Sequence, residues 1–219
     1  MGKEIVGLLP VKGNSERVPM KNLRKFGESS LFELKLSQLS KAKGFDEIIV
    51  SSEEDMILSI AKKNGFGTHE RDPKYSTSDI PMSDVYSYIA SEIEGEDIAW
   101  INVTNPLADS DCYTNAVKSY KRMNEKYDCL LSVAEVKDYL FHQGRPLNFR
   151  SKPWEKSQNL TGVFEMTFVI NILKRQKMIE WGSCVGTAPY FYNLSKLESW
   201  DIDFQEDFDF CEMMHNKTK

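Results

Sequence analysis

The amino-acid sequence predicts an α/β fold of three layers, in which a mainly parallel, mixed central sheet lies between helices. Three observations carry that expectation. Strand-like apolar runs alternate with stretches of helical periodicity, as in repeated βα units. The runs are apolar almost throughout instead of alternating with polar residues, which is the pattern of strands covered on both faces. A chain of 219 residues, 41% hydrophobic and 28% charged, has the size and composition of one globular domain with a large core, so residues 1–219 are read as a single unit.

Along the chain, the run at residues 4–9 opens the sheet. A helix at 31–43 follows: Leu31, Leu34, Leu36, Leu39 and Ala42 fall mostly on one face, and Lys35, Gln38 and Lys41 are expected to point outward. A strand is expected at 47–51, helices at 55–64 and 82–93, and a strand at 98–103. The helix at 112–126 leads into a strand at 129–133, and strands at 161–169 and 185–192 precede a last helix at 204–215. The stretch 137–160 breaks the alternation. It carries Tyr139, Phe141, Arg145, Arg150 and Trp154 with little periodicity, and reads either as a surface excursion whose aromatics pack locally or as a lid over an acidic substrate. Cys112, Cys129, Cys184 and Cys211 have no paired spacing and are expected to be reduced core residues, while His69, His142 and His215 form no ligand cluster.

The most informative stretch is the loop after the first strand, residues 8–23. It holds Pro10, Gly13, the small polar residues Asn14, Ser15 and Asn22, and the cations Lys12, Arg17 and Lys21. In an α/β sheet such a loop lies beyond the carboxyl end of its strand, where ligands collect. A glycine lets backbone N–H groups approach an anion, and three cations neutralise several phosphate charges, so the loop reads as a polyphosphate cradle. Neither the P-loop spacing nor the dinucleotide fingerprint is present. The other reading is a plain polar surface loop.

The opposite end complements it. Residues 1–25 hold six cations against two acids, whereas 197–214 hold seven acids and no Lys or Arg. In the run Trp200-Asp201-Ile202-Asp203-Phe204 the two carboxylates, two apart, share one face if the backbone is extended. Such a pair suits Mg²⁺ shared with substrate phosphates. The alternative is a capping role, with Asp203 as N-cap and Glu206 completing a capping box.

These motifs, with Thr104-Asn105-Pro106-Leu107 between them, resemble the acylneuraminate (CMP-sialic acid) cytidylyltransferases in order and spacing, as do residues 45–52 and 71–85. The resemblance covers most of the chain. It implies a Rossmann-like nucleotidyltransferase that joins CTP to an acidic, sialic-acid-like sugar with Mg²⁺ and acts as a homodimer, the 137–160 excursion reaching the second subunit. It places nucleotide contacts on Pro10, Lys12, Gly13, Asn14, Ser15, Arg17, Lys21, Asn22, Arg71, Ser78 and Asp79, with Lys12, Arg17, Lys21 and Asp203 carrying the chemistry. Substrate contacts fall on Asn102, Thr104, Asn105 and Gln158, and metal ligands on Asp201 and Asp203. The sequence departs from the family pattern at Lys12, where Arg is usual, at Glu16, where Lys is common, and at Ala108, where an Arg ends the sugar-contacting motif.

A net charge of −5 argues against a general nucleic-acid binder, and no apolar stretch is long enough to cross a bilayer or follows a charged start as in a signal peptide. A cytoplasmic enzyme is therefore expected. Two further functions remain open at this level: nucleotidyl transfer to a different acid sugar or a phosphorylated small molecule, and a non-catalytic nucleotide-binding relative.

Overall fold

A computed structural model describes residues 4–15 and 17–217 of the chain; the departure noted at Glu16 lies outside the described residues. In chain order the elements are β1 (Ile5–Pro10), β2 (Lys25–Phe26), β3 (Ser29–Ser30), α1 (Leu31–Lys41), β4 (Glu47–Ser52), α2 (Asp55–Lys63), β5 (Gly67–Glu70), α3 (Met82–Glu92), β6 (Asp97–Trp100) and α4 (Ser110–Lys121). They continue with β7 (Cys129–Glu135), β8 (Phe141–His142), β9 (Arg145–Pro146), β10 (Phe164–Lys174), α5 (Arg175–Trp181), β11 (Pro189–Leu194) and α6 (Gln205–Lys217). Short 3₁₀ turns lie at Pro73–Ser76 and Ser157–Asn159.

Seven strands form one sheet in the order β11-β7-β10-β6-β1-β4-β5. All its pairings are parallel except those of β10, which runs antiparallel to both β6 and β7. The continuous apolar run of β1 explains its central place. Ile5 and Leu9 point into a core shared with Leu31, Leu36 and Leu39 of α1, Ile57 of α2, Val117 of α4 and Phe208 of α6. Val6 and Leu8 point the other way, into a core with Ile89 of α3 and Met178 of α5. Helices cover both faces, the three-layer mixed architecture that the strand pattern predicts.

Local chemistry sets the helix starts. α1 begins with a capping box: the Glu33 N–H donates to Ser30 Oγ at 3.1 Å and the Ser30 N–H to Glu33 Oε2 at 3.0 Å. Asp109 caps α4 by accepting from the N–H groups of Asp111 and Cys112 at 3.0 and 2.9 Å. All four cysteines are free and buried, as expected.

The differences from the expected elements have physical causes. β6 ends at Trp100, three residues early, because its pairing with β10 covers only Asn171–Lys174 and the register of β10 breaks between Met166 and Asn171. Residues 101–104 are thereby released into a loop at the carboxyl edge. The edge strand β5, Gly-Thr-His-Glu, has no apolar run to announce it, and α5 is a short charged helix stopped by Gly182 at φ 56°. Lys35 does not point outward: it is 0% exposed and among the largest fully buried side chains. The 137–160 excursion contains the β8–β9 hairpin, and Tyr139, Phe141, Phe149 and Trp154 pack on one another with ring centroids 4.9–5.5 Å apart.

Candidate active site

The loop after β1, the 3₁₀ turn with the residues beyond it, and the segment after β6 enclose a polar cavity of about 620 Å³ at the carboxyl edge of the sheet. Of the sequence-selected residues, Pro10, Lys12, Asn14, Ser15, Arg17, Lys21, Asn22, Ser78, Asp79, Asn102 and Thr104 line it. Three of its lining residues are cations, and all three come from one loop. A second chamber of about 270 Å³ shares Pro10, Lys12, Thr77 and Asn102 with the first and is walled by Met82, Val85, Tyr86, Trp100 and Phe168. Arg71 lines this apolar chamber, 2% exposed, and its Nε–H is buried with no partner.

One carboxylate that the sequence reading missed ties the loop after β1 to Arg71 and the first 3₁₀ turn. Glu53, immediately after β4, accepts from the Gly13 backbone N–H at 2.9 Å, from the Arg71 guanidinium at 2.6 Å and from Ser76 Oγ at 2.7 Å. Arg71 also donates to the Val11 carbonyl at 2.8 Å, and Asn22 Nδ2 donates to the Lys12 carbonyl at 2.8 Å. Burial pushes the Glu53 carboxyl up, but the hydrogen bonds from Arg71, Ser76 and Gly13 outweigh it and hold the group below the usual carboxylate range. The Gly13 amide therefore faces Glu53, and the space its missing side chain leaves is filled by Glu54, whose Cγ lies 2.0 Å from where a Cβ would stand. The available signal was positional: a carboxylate at the carboxyl end of a central strand stands where ligands collect.

Asp201, Ile202 and Asp203 are not in a strand. They follow β11 as irregular chain, pinned by the Ile202 N–H to the Thr104 carbonyl at 2.9 Å. Ile202 is fully buried and both carboxylates are partly buried. Neither lines the cavity; each stands one contact behind it. Asp203 pairs with Arg17 at 2.7 Å, and Asp201 accepts a hydrogen bond from the Thr104 side chain while its Oδ1 is buried without a partner. Burial raises the Asp201 carboxyl above its ordinary value, Thr104 opposes the shift, and the neighbouring Asp203 charge adds to it. Lys21 donates to the Ile202 carbonyl at 2.5 Å, its ammonium lowered by burial and drawn back up by Asp201 and Asp203. The capping reading fares differently. Asp207 accepts the N–H groups of Asp203 and Phe204 at 3.1 and 2.8 Å, which leaves the Asp203 carboxylate for Arg17. Asp201 and Asp203 are the carboxylates that could hold a metal; among the described residues no cluster of three or more His, Cys, Asp or Glu offers another site.

Two sequence-selected substrate residues fall outside the cavity. Asn105 is fully buried behind it, donating through Nδ2 to the Trp200 carbonyl at 3.1 Å. Gln158 is exposed on the second 3₁₀ turn and lines neither chamber: nothing in its irregular segment fixed where that turn would lie. Behind Asn105 sits Lys35, whose ammonium donates to the Asn105 carbonyl at 2.8 Å and to the Tyr113 hydroxyl. Burial pulls Lys35 down to about 7, with Cys112 and Asp201 drawing it back up.

The fold is that of solved nucleotidyltransferases. The chain superposes on CMP:2-keto-3-deoxy-manno-octonic acid synthetase complexed with CTP with a TM-score of 0.72 at 8% identity, covering 99% of this chain and 100% of that one. It superposes on 4-diphosphocytidyl-2C-methyl-D-erythritol synthase from Anaerococcus prevotii with a TM-score of 0.68 at 13% identity, covering 98% and 97%. The cytidylyltransferase family model matches residues 6–217, and the chain belongs to that family. Among curated relatives it is 22% identical to the N-acylneuraminate cytidylyltransferase of Escherichia coli O18:K1:H7 over 99% of this chain, although it spans only 53% of that protein's length. It is 22% identical to the post-translational flagellin modification protein B of Campylobacter coli, covering 96% of this chain and 94% of the relative. To the pseudaminic acid cytidylyltransferase of Campylobacter jejuni it is 21% identical, covering 95% and 94%. No helix among the described residues is long and apolar enough to cross a membrane.

Proposed function

We propose that this enzyme couples CTP to an acidic, sialic-acid-like nonulosonic sugar, giving a CMP-sugar and pyrophosphate. The observation that carries the reading is the cavity itself, lined by Lys12, Arg17 and Lys21, with Asp203 paired to Arg17 and Asp201 held by Thr104. The substrates named for the N-acylneuraminate and pseudaminic acid relatives support the acceptor class. The CTP complex of a structural neighbour supports the nucleotide.

In this reading a sugar hydroxyl attacks the α-phosphorus of CTP in line and gives its proton to solvent, the bond to the bridging oxygen breaks, and pyrophosphate leaves with the electron pair. Lys12, Arg17 and Lys21 hold the β- and γ-phosphates and offset charge that grows on the leaving group. Arg71 reaches the nucleoside from the apolar chamber through its unpartnered Nε–H. Asn102 and Thr104 orient the acceptor. The carboxylates of Asp201 and Asp203, with one buried oxygen left unpaired, are the hard oxygen donors that a divalent cation takes. These two residues would hold Mg²⁺, which when bound neutralises phosphate charge. The exposed Phe141, Leu147 and Trp154 of the excursion support a homodimer in which this arm reaches the second copy, a state that sedimentation measures directly.

The test is pyrophosphate release with each of the four nucleoside triphosphates and Mg²⁺, against N-acetylneuraminic, legionaminic, pseudaminic and 3-deoxyoctulosonic acids. Release that needs CTP and one nonulosonic acid is the expected result. Silence with every acid, in protein that binds CTP in a thermal-shift assay, overturns it.

A further inference from the structure

Lys35 is a fully buried cation with no carboxylate partner among the described residues: its ammonium is held by a carbonyl and a phenol, and lies 4.8 Å from the centroid of the Tyr113 ring. An unpaired charge in a hydrophobic core is costly and a leucine would pack there, so its presence calls for a return outside stability. Its contacts show where that return falls. Lys35 holds the Asn105 carbonyl, and its helical neighbour Gln38 donates to the Pro106 carbonyl at 2.7 Å. Asn105 Nδ2 holds the Trp200 carbonyl, Thr104 accepts from the Ile202 N–H, and Ile202 accepts from Lys21. One line of hydrogen bonds thus runs from α1 through the 102–105 loop to the Asp201 segment and back to the cationic loop.

We propose that Lys35 is a positioning residue that fixes the Asn102–Asn105 wall of the cavity from α1. The inference rests on the functional reading above, in that the wall it fixes is the acceptor side. Lys35 touches no substrate; it sets the backbone on which Asn102 and Thr104 are carried.

The experiment compares wild type with Lys35→Met and Lys35→Gln, measuring pyrophosphate release with CTP and acid varied separately and thermal unfolding on the same preparations. Lys35→Met is expected to melt at or above the wild-type temperature while its KM for the acid rises at least about tenfold, as misplacement of a substrate-positioning wall requires. Its KM for CTP should rise clearly less, because most of the proposed nucleotide contacts lie on the loop after β1 and around Arg71, and Lys21 meets the line only at its far end. Lys35→Gln, which keeps a donor, should fall between. An unchanged acid KM in folded Lys35→Met, or equal rises in both KM values with a lower melting temperature, assigns Lys35 to the core alone and overturns the proposal. Should Lys35→Met not fold, Asn105→Ala, which cuts the next link while leaving Lys35 in place, must raise the acid KM alone or the proposal falls. If wild type transfers to none of the acids, the functional reading has failed instead. Hydrogen exchange then decides the inference: faster exchange of the 102–105 amides alone in Lys35→Met supports it, and unchanged exchange there overturns it.

Discussion

The two walls of the cavity are built on opposite electrostatic plans. On the nucleotide side the buried cation, Arg71, meets a carboxylate at 2.6 Å, and Glu53 spends its remaining capacity on Gly13 and Ser76. On the acceptor side the buried cation, Lys35, meets only neutral groups, and the side-chain oxygens Asp201 Oδ1 and Asn105 Oδ1 are buried without partners. The first wall pairs its buried cation with a carboxylate, although Arg71 Nε and Asn22 Oδ1 are left without partners. The second holds its buried cation on a carbonyl and a phenol alone, at the full cost of burying a charge.

The largest effect that would break this contrast is expected at Asp203. Asp203→Asn should lower turnover about a hundredfold or more, as loss of a group serving transition-state electrostatics does. Stability should change by no more than about 1 kcal/mol, because its ion pair with Arg17 is half exposed. Wild-type turnover at saturating CTP and Mg²⁺ would remove Asp203 from the chemistry. Glu53→Ala reverses the pattern: it leaves Arg71 buried and unpaired, and denaturant unfolding should show a loss of about 3 kcal/mol. The folded-state Glu53 carboxyl lies below its ordinary value, so its contribution is present above the unfolded carboxylate range near ~4.3 and is lost as pH falls through the folded value. A loss that is the same at pH 3 and pH 7 would contradict the paired description.

Lys21 joins the two walls, through its place in the cationic loop and its bond to the Ile202 carbonyl. Lys21→Ala should weaken CTP binding by about tenfold or more, the loss of one charge-assisted contact, and a titration that matches wild type would show that the loop holds phosphate without it.

The smallest effect sharpens the contrast most. Lys35 titrates near 7 when folded and near ~10.4 when unfolded, so between those values the unfolded chain binds more protons and wild-type stability rises with pH. Below about 7 both states carry the charge and its full burial cost stands. The ammonium contacts the Asn105 carbonyl and the Tyr113 hydroxyl, and the Cys112 thiol and the Asp201 carboxylate act on it through space. The melting-temperature advantage of Lys35→Met over wild type should therefore be greatest at pH 7 or below and shrink toward pH 10. A gap independent of pH would show that the lysine is paired after all.

The sheet was legible where a strand is buried on both faces, as in β1, because a continuous apolar run needs no partner to be recognised. It was not legible in β5, a polar edge strand, nor in the early end of β6, which the broken register of β10 imposes. The cationic loop was legible because its residues are contiguous, and 11 of the sequence-selected residues do line the cavity. Where Gln158 would lie was not legible, because no periodicity governs the segment around it, and it lines neither chamber.

The three-layer fold and the charge asymmetry of the two ends follow from residues close in the chain. Tertiary structure alone decided that Glu53 gathers Gly13, Arg71 and Ser76, and that Lys35, on the polar side of its helix by periodicity, lies in the core. The reason is common to both. Which face of a helix is solvent, and which carboxylate finds a guanidinium, depend on what packs opposite, and here the partners lie 18 to 78 residues away.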